Sequence, residues 1–103
     1  MYVLNYWHTV SDYGEWKKIF DSDPLGREAS GVRRVSIERP VDDENTVIGE
    51  LEFDSLGEAE AFAGRLEEIW KGSASRAVSN AGHRITEVLE QQRFGSESAR
   101  RAA

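Results

Sequence analysis

Apolar residues recur along this chain with two different periods, and the order of those periods is what most constrains the fold. Alternating or continuous runs of β-branched and aromatic residues predict strands, whereas a spacing of three or four residues predicts helices. The opening run Tyr2–Val10 is a predicted strand. Two alternating segments, 34–38 and 47–53, predict two half-buried strands, and the turn-forming residues Pro40–Asn45 join them as a hairpin.

Two predicted helices begin at capping boxes, in which a Ser or Asp precedes a Glu by three residues: Asp12 with Glu15, and Ser55 with Glu58. Their apolar stripes consist of Tyr13, Trp16, Ile19 and Phe20 in the first, and Ala59, Phe62, Leu66, Ile69 and Trp70 in the second. Pro24 predicts a further helix that Gly31 ends. A short helix is predicted within 73–82, and alternation over 85–90 predicts a last strand that begins after His83.

The resulting order, β-α-β-β-α-β, predicts an α+β fold of the ferredoxin-like kind, with one four-stranded antiparallel sheet and both helices on the same face. Residues 1–94 are predicted to form the single domain, and 95–103, which lack a large apolar residue, a flexible tail. The other sheet face would expose Trp7 or Tyr6 together with Ile48. We therefore expect a second copy to cover it, which makes the protein a homodimer.

Composition excludes several classes of function. With 13 Lys+Arg against 19 Asp+Glu, the net charge of −6 argues against binding to nucleic acid or to an anionic membrane. The lack of Cys removes disulfides, thiolate metal sites and thiol nucleophiles. No apolar stretch approaches the ~18 residues of a membrane span, so a cytoplasmic location is expected. The acidic turn 42–45 lacks the ligand spacing of an EF-hand, and we predict neither a metal site nor a cofactor.

His8 is the candidate catalytic residue, because an imidazole at the end of a strand can shuttle a proton near neutral pH. The alternative is a structural histidine bonded to the loop at Asp12 or to the backbone. The candidate ligand-binding residues are Tyr6, Tyr13, Trp16, Arg27 and Trp70. The aromatic members either line an apolar pocket or pack in the core and the dimer interface. Arg27 either clamps an acidic ligand or pairs with Asp23 or Glu28.

Several patterns together resemble one known family. They are His8-Thr9-Val10-Ser11-Asp12-Tyr13, Trp16-Lys17, Phe20-Asp21, Arg27, Ser30-Gly31, Arg39, the turn 42–45, and Leu51-Glu52-Phe53-Asp54 through Phe62. This combination is similar to the dimeric α/β-barrel superfamily, whose small members are labelled antibiotic-biosynthesis-monooxygenase-like or "cyclase". The resemblance, which spans roughly residues 2–70, implies a pocket between sheet and helices in each subunit and a barrel across the dimer.

The resemblance also implies a range of functions. One hypothesis is a cofactor-independent monooxygenase or cyclase-like enzyme acting on a small aromatic or polyketide-like ligand. A second is a non-catalytic dimer that binds a metabolite or a protein. The third is a haem-binding or haem-degrading protein, in which an Asn on the first strand acts with a Trp–His pair near the second helix. Asn5 and Trp70 match that pattern, but His83 lies at the wrong spacing.

Charge on the open sheet face bears on the dimer. Glu50, Glu52 and Glu87 are predicted to lie on the face opposite the core, where Arg34, Arg84 or Arg93 of a partner chain would neutralise some of them.

Overall fold

The computed structural model describes residues 1–72 and 77–95, and its strands and helices follow the predicted order. The elements are β1 Tyr2–Val10, α1 Tyr13–Asp21, β2 Val32–Glu38, β3 Thr46–Phe53, α2 Leu56–Lys71 and β4 Val78–Glu87. The strands form one antiparallel sheet in the order β2-β3-β1-β4, so that β1 and β3 are central. The predicted ferredoxin-like α+β fold is confirmed.

Alternation along the central strands decides which side chains face the helices. In β3, Val47, Leu51 and Phe53 are buried under the helices, whereas Glu50 and Glu52 lie on the other face. Both helices begin at the predicted caps: Asp12 accepts the Glu15 amide at 2.9 Å, and Ser55 accepts the Glu58 amide at 3.2 Å. These caps satisfy amides that have no partner within their own helix.

The core under the helices consists of two apolar clusters. One surrounds Phe53 and Phe62, and the other surrounds Val10 and Trp16. His8 belongs to neither, but it follows Leu4 and Tyr6 on the same face of β1 and precedes Val10, so it lies where the two clusters meet. The fold therefore places one polar side chain in the middle of an otherwise apolar layer.

The prediction of a helix after Pro24 is wrong. Residues 24–31 form hydrogen-bonded turns, with the Gly26 amide bonded to the Asp23 carbonyl. Asp23 and Gly26 have φ angles of +54° and +58°, which a right-handed helix does not tolerate. Gly31, with φ of +100°, takes the left-handed conformation expected of it, but it ends this turn segment and leads into β2.

The predicted boundaries of the last strand are also wrong. β4 begins at Val78, so 78–82 is strand and not helix, and His83 lies within the strand; residues 73–76 of the predicted helix lie outside the described residues. Pairing with β1 extends the strand, because Val78 and Ser79 lie opposite Val10 and Thr9. Leu89 lies beyond its end and is exposed.

The outer face of the sheet carries ion pairs within one chain. Arg34 of β2 bonds to Glu52 and lies 3.8 Å from Glu50 on the neighbouring strand. Within the chain, Arg34 thus already neutralises part of the charge of Glu50 and Glu52, and the contribution of a partner's arginine stays a prediction. The division between domain and tail at residue 94 stays a prediction, since 96–103 lie outside the described residues.

Candidate functional site

His8 lies on the helix-covered face of β1, opposite an irregularity in β4. The pairing of the two strands shifts between Trp7 and Thr9, where Asn80 has a φ of +53°. Such a bulge bends a strand and re-aims neighbouring side chains. The His8 side chain is 2% exposed, and no described residue bonds to its Nδ1 atom. The imidazole has no partner on another described residue, apart from a contact with its own backbone, and an undersatisfied buried nitrogen costs about 1–3 kcal/mol, so the His8 ring beside the cavity is a candidate for binding a ligand.

Aromatic rings surround the imidazole. The centroid of the His8 ring lies 5.7 Å from that of Tyr6, 5.4 Å from that of Trp16 and 5.9 Å from that of Trp70. The Tyr6 ring is nearly parallel to the imidazole, at 23°, and Trp70 meets it edge-on, at 72°. Three elements contribute these rings, since Trp16 comes from α1 and Trp70 from the last turn of α2. The arrangement leaves the imidazole in an apolar enclosure.

The position of Tyr6 depends on a glycine in the next strand. Gly49 pairs directly with Tyr6, and a Cβ atom at Gly49 would overlap the ring carbons and the hydroxyl of Tyr6. The tyrosine ring therefore lies across β3 only because that position has no side chain. Gly49 is a site-shaping residue that sequence reasoning missed, although a glycine inside an alternating strand is the signal of such a close approach.

A cavity of about 70 Å³ opens beside His8, between the sheet and the helices. Its walls are lined by Tyr6, His8, Trp16, Phe20, Arg27 and Trp70, together with Ile19, Asp23, Pro24, Leu25, Leu51, Phe62, Leu66, Ile69 and Val78. Pockets for drug-sized ligands measure roughly 300–1,000 Å³. In this conformation the cavity is too small for the polycyclic substrate that the resemblance suggested, and it limits a ligand to about one ring.

Five of the six predicted site residues line this cavity, and Tyr13 does not. Tyr13 is the first residue of α1 and packs on Trp16, with the ring centroids 5.7 Å apart. It supports a wall of the cavity from outside, although it lies on the same helical stripe as Trp16. Phe20, from the same apolar stripe, also lines the cavity, one helical turn after Trp16.

Arg27 pairs with Asp23, one of the two alternatives considered for it, and it also lines the cavity. Its guanidinium lies 3.9 Å from the centre of the Phe20 ring and donates to the Phe20 carbonyl at 2.8 Å. Its Nε atom lies 3.5 Å from Asp23 Oδ1, and the same oxygen accepts the Arg27 amide at 2.9 Å. These contacts hold a cation among the lining residues of the cavity, with an acidic partner beside it.

Burial controls the protonation of the site. Desolvation lowers the pKa of His8 to about 4, so the imidazole is neutral at pH 7. The same effect raises the pKa of the Tyr6 phenol well above its ordinary value, which keeps it protonated. The site therefore offers a neutral nitrogen as an acceptor for a hydrogen bond in apolar surroundings.

The other histidine lies on the far side of Trp70. The His83 ring centroid is 6.2 Å from that of Trp70, and His83 Nε2 lies 2.5 Å from Oε1 of Glu67 on α2. This contact lowers the pKa of the Glu67 carboxyl. No described residue bonds to His83 Nδ1.

The residues do not fit the haem pattern. Asn5 projects from the opposite face of β1 to Tyr6 and His8, and its side chain bonds to Thr86 at 3.1 Å. His83 is held by Glu67, and a cavity of about 70 Å³ does not admit a porphyrin. Within residues 1–72 and 77–95, no three His, Asp or Glu side chains group as metal ligands.

No protein-family model matches this sequence, and no curated protein matches it. In the part of the chain that the structure describes, neither helix is long and apolar enough to cross a membrane.

Solved structures do match. SnoaB, a cofactor-independent oxygenase from Streptomyces nogalater, is 15% identical with a TM-score of 0.68, and the match covers 87% of this chain and 94% of that one. A mutant of MhuD solved with two manganese protoporphyrin IX molecules per active site is 19% identical with a TM-score of 0.68, covering 91% and 100%. A dimeric ferredoxin-like protein from an uncultured marine organism is 11% identical with a TM-score of 0.61, covering 88% and 97%.

These neighbours confirm the predicted resemblance at the level of the fold. At such low sequence identities the neighbours show the fold of this chain, and its chemistry has to be argued from its own residues. The chain has the ferredoxin-like fold that antibiotic-biosynthesis-monooxygenase-like proteins share.

Proposed function

We propose that this protein binds a small molecule, and that the cavity beside His8 takes one electron-rich aromatic or enolic ring. The observation that carries the proposal is the buried imidazole of His8, which has no hydrogen bond from another described residue and lies among Tyr6, Trp16 and Trp70 beside the cavity. A ligand hydroxyl that donates to this imidazole supplies the missing partner. The surrounding rings then provide flat apolar walls for the ligand ring.

The proposed reaction is oxygenation without a cofactor. The hydroxyl proton of the ligand passes to the His8 imidazole, and a ring carbon of the phenolate or enolate left behind forms a C–O bond with dioxygen. The imidazolium returns its proton to the peroxide, and loss of water from that hydroperoxide breaks the O–O bond and leaves one oxygen on the ring as a carbonyl. A pKa of about 4 makes His8 a weak base in the free protein. The anion that forms beside the imidazole raises that pKa, because opposite charges stabilise each other strongly where water is excluded. The likeness in fold to SnoaB supports this reading.

Calorimetric titration of phenol and toluene tests the binding proposal. The two ligands share the ring, and only phenol donates a hydrogen bond. His8→Phe should lower the affinity for phenol by at least about tenfold, the equivalent of one hydrogen bond to a buried group, whereas the affinity for toluene should change little. His83→Phe is the matched control and should leave phenol affinity as it is. Equal losses for both ligands in His8→Phe would show that the nitrogen is not the contact.

One observation favours a second candidate, the non-catalytic binding module. The aromatic side chains around His8 already fill most of the space, leaving about 70 Å³. The two functions differ in oxygen uptake. Stoichiometric consumption of dioxygen with a catechol or enol substrate, lost in His8→Phe, identifies the oxygenase. Binding without oxygen uptake identifies the module. Haem titration should leave the Soret band unshifted.

We also propose a homodimer formed through the open sheet face. That face exposes Trp7, 41% accessible on the central strand, beside the half-buried Ile48 with which it pairs. Association of two such faces removes the apolar surface from water. Light scattering should give twice the mass of one chain at micromolar concentration, and Trp7→Asp should reduce it to a monomer. A wild-type monomer would reject the proposal. The cytoplasmic location stays a prediction.

A further inference from the structure

Trp70 separates two spaces. Its side chain is part of the wall of the inner cavity beside His8, and it also lines a groove of about 520 Å³ between the end of α2 and β4. Val78 is the other residue common to both. The inner space is small and largely apolar, whereas the groove is bordered by Glu67, Lys71, Ser79, Asn80, Ala81, Gly82 and His83.

The position of Trp70 is suited to movement. It is the last residue but one of α2, and it is only half-buried. Its contacts inside are ring contacts, with the Tyr6 and His8 centroids 6.0 and 5.9 Å away. Ring contacts without hydrogen bonds are exchanged easily for contacts with another aromatic ring. A planar ligand can therefore take the place of the indole.

The groove supplies polar groups at its outer end. The Nδ1 atom of His83 is buried without a partner among the described residues, while its Nε2 atom is bonded to Glu67. Lys71 follows Trp70 in the chain and brings a cation to the same groove. One side of the groove is the bulged part of β4, where small side chains leave space for a ligand. A ligand that spans both spaces thus has one histidine side chain at each end, His8 in the inner cavity and His83 in the groove.

We infer that the groove between α2 and β4 is the second half of the ligand site, that it takes the far end of an elongated planar aromatic ligand with polar groups at both ends, and that Trp70 is the residue limiting the ligand to one ring. This inference rests on the proposed function. The inner hydroxyl of such a ligand meets His8, and its anionic or polar outer group meets His83 and Lys71.

The test compares two probes: phenol, and a naphthol that carries a sulfonate on its far ring. Trp70→Ala should raise the affinity for the naphthol sulfonate by at least about tenfold, because the partition no longer has to be displaced. Phenol affinity should not rise, because the indole is also a wall of the inner cavity, and the phenol hydroxyl still has only its bond to His8. Trp7→Phe, on the opposite face of the sheet, is the matched control and should alter neither affinity.

A second substitution locates the bound probe. Ala81→Trp, two residues before His83 on the same face of β4, places an indole in the groove and should abolish the gain in the Trp70→Ala background while leaving phenol affinity unchanged. If Trp70→Ala does not fold, Trp70→Leu replaces it. The inference is overturned if removing the indole gives no gain for the naphthol sulfonate, or if the gain survives Ala81→Trp. If the proposed function itself is wrong, the wild-type protein will not bind phenol, and this result is distinct from those above.

Discussion

Trp70 has a histidine on each side, and the two histidines have very different surroundings. His8 lies on a central strand, 2% exposed, and is surrounded by aromatic rings. His83 lies on the edge strand β4, with its side chain 25% exposed, and Glu67 is bonded to it. Edge strands admit water and long charged side chains, which a central strand covered by two helices excludes. The position within the sheet, more than the residue type, decides which imidazole can serve a buried ligand.

The largest expected difference between the two regions is in the pH dependence of stability. The unfolded chain protonates His8 near its ordinary pKa of 6.5, whereas the folded chain does so only near 4. Between these values the unfolded state binds more protons, so stability is complete above about pH 6.5 and falls as the pH is lowered towards 4. The loss attributable to His8 is about 3 kcal/mol.

Denaturant unfolding at several pH values, on wild type and on His8→Phe, measures this loss. The difference between the two proteins should grow below pH 6.5 and become constant below pH 4. His83→Phe is the control and should follow the wild-type curve more closely. A pH profile of His8→Phe parallel to that of the wild type would mean that the imidazole is solvated in the folded state.

The next largest effect on stability concerns Gly49, which allows Tyr6 to pack closely beside His8. Gly49→Ala pushes a methyl group into the Tyr6 ring and should cost about 1–3 kcal/mol, the usual range for overpacking. Gly64→Ala is the matched control: a Cβ there meets nothing within 4 Å in the middle of α2, and it should stabilise the protein by about 1 kcal/mol. Equal effects of the two substitutions, measured by denaturant unfolding, would contradict the close approach of Tyr6.

A smaller difference in stability between substitutions of the two histidines is expected at neutral pH. His8→Phe removes a buried nitrogen that no other described residue satisfies and should raise the free energy of unfolding by about 1 kcal/mol while it weakens phenol binding. His83→Phe, which also breaks the contact with Glu67, should give no such gain. Destabilisation by His8→Phe in denaturant unfolding would indicate that the nitrogen has a partner in solution.

The smallest expected change is at the exposed pair itself. Glu67→Gln keeps the shape of the side chain but removes its charge, and because surface pairs contribute little, the melting temperature should hardly move. Loss of this contact should instead loosen His83 beside Trp70 and alter the indole fluorescence. The same substitution in a Trp70→Phe background shows whether the signal comes from Trp70. A large drop in melting temperature would show that the pair stabilises the fold.

Much of the candidate site was predictable, because its aromatic residues lie at regular spacings on elements that the sequence predicts. His8 and Tyr6 share one face of a strand, and Trp16 and Trp70 lie on the apolar stripes of helices. Tyr13 lies outside the cavity lining because a helical stripe indicates which residues face the core but not which of them border a cavity. Gly49 was missed because its function is to have no side chain where a ring from another strand passes.

Local interactions allowed the sequence by itself to determine the order of strands and helices, the caps at Asp12 and Ser55, and the apolar face of each element. Only the tertiary structure decided where β4 begins, the bulge opposite His8, and a cavity of about 70 Å³. The physical reason is the distance along the chain over which each interaction acts. Capping and periodicity depend on residues within a few positions of each other, whereas strand register and cavity volume depend on side chains that are far apart in the chain and meet only after folding.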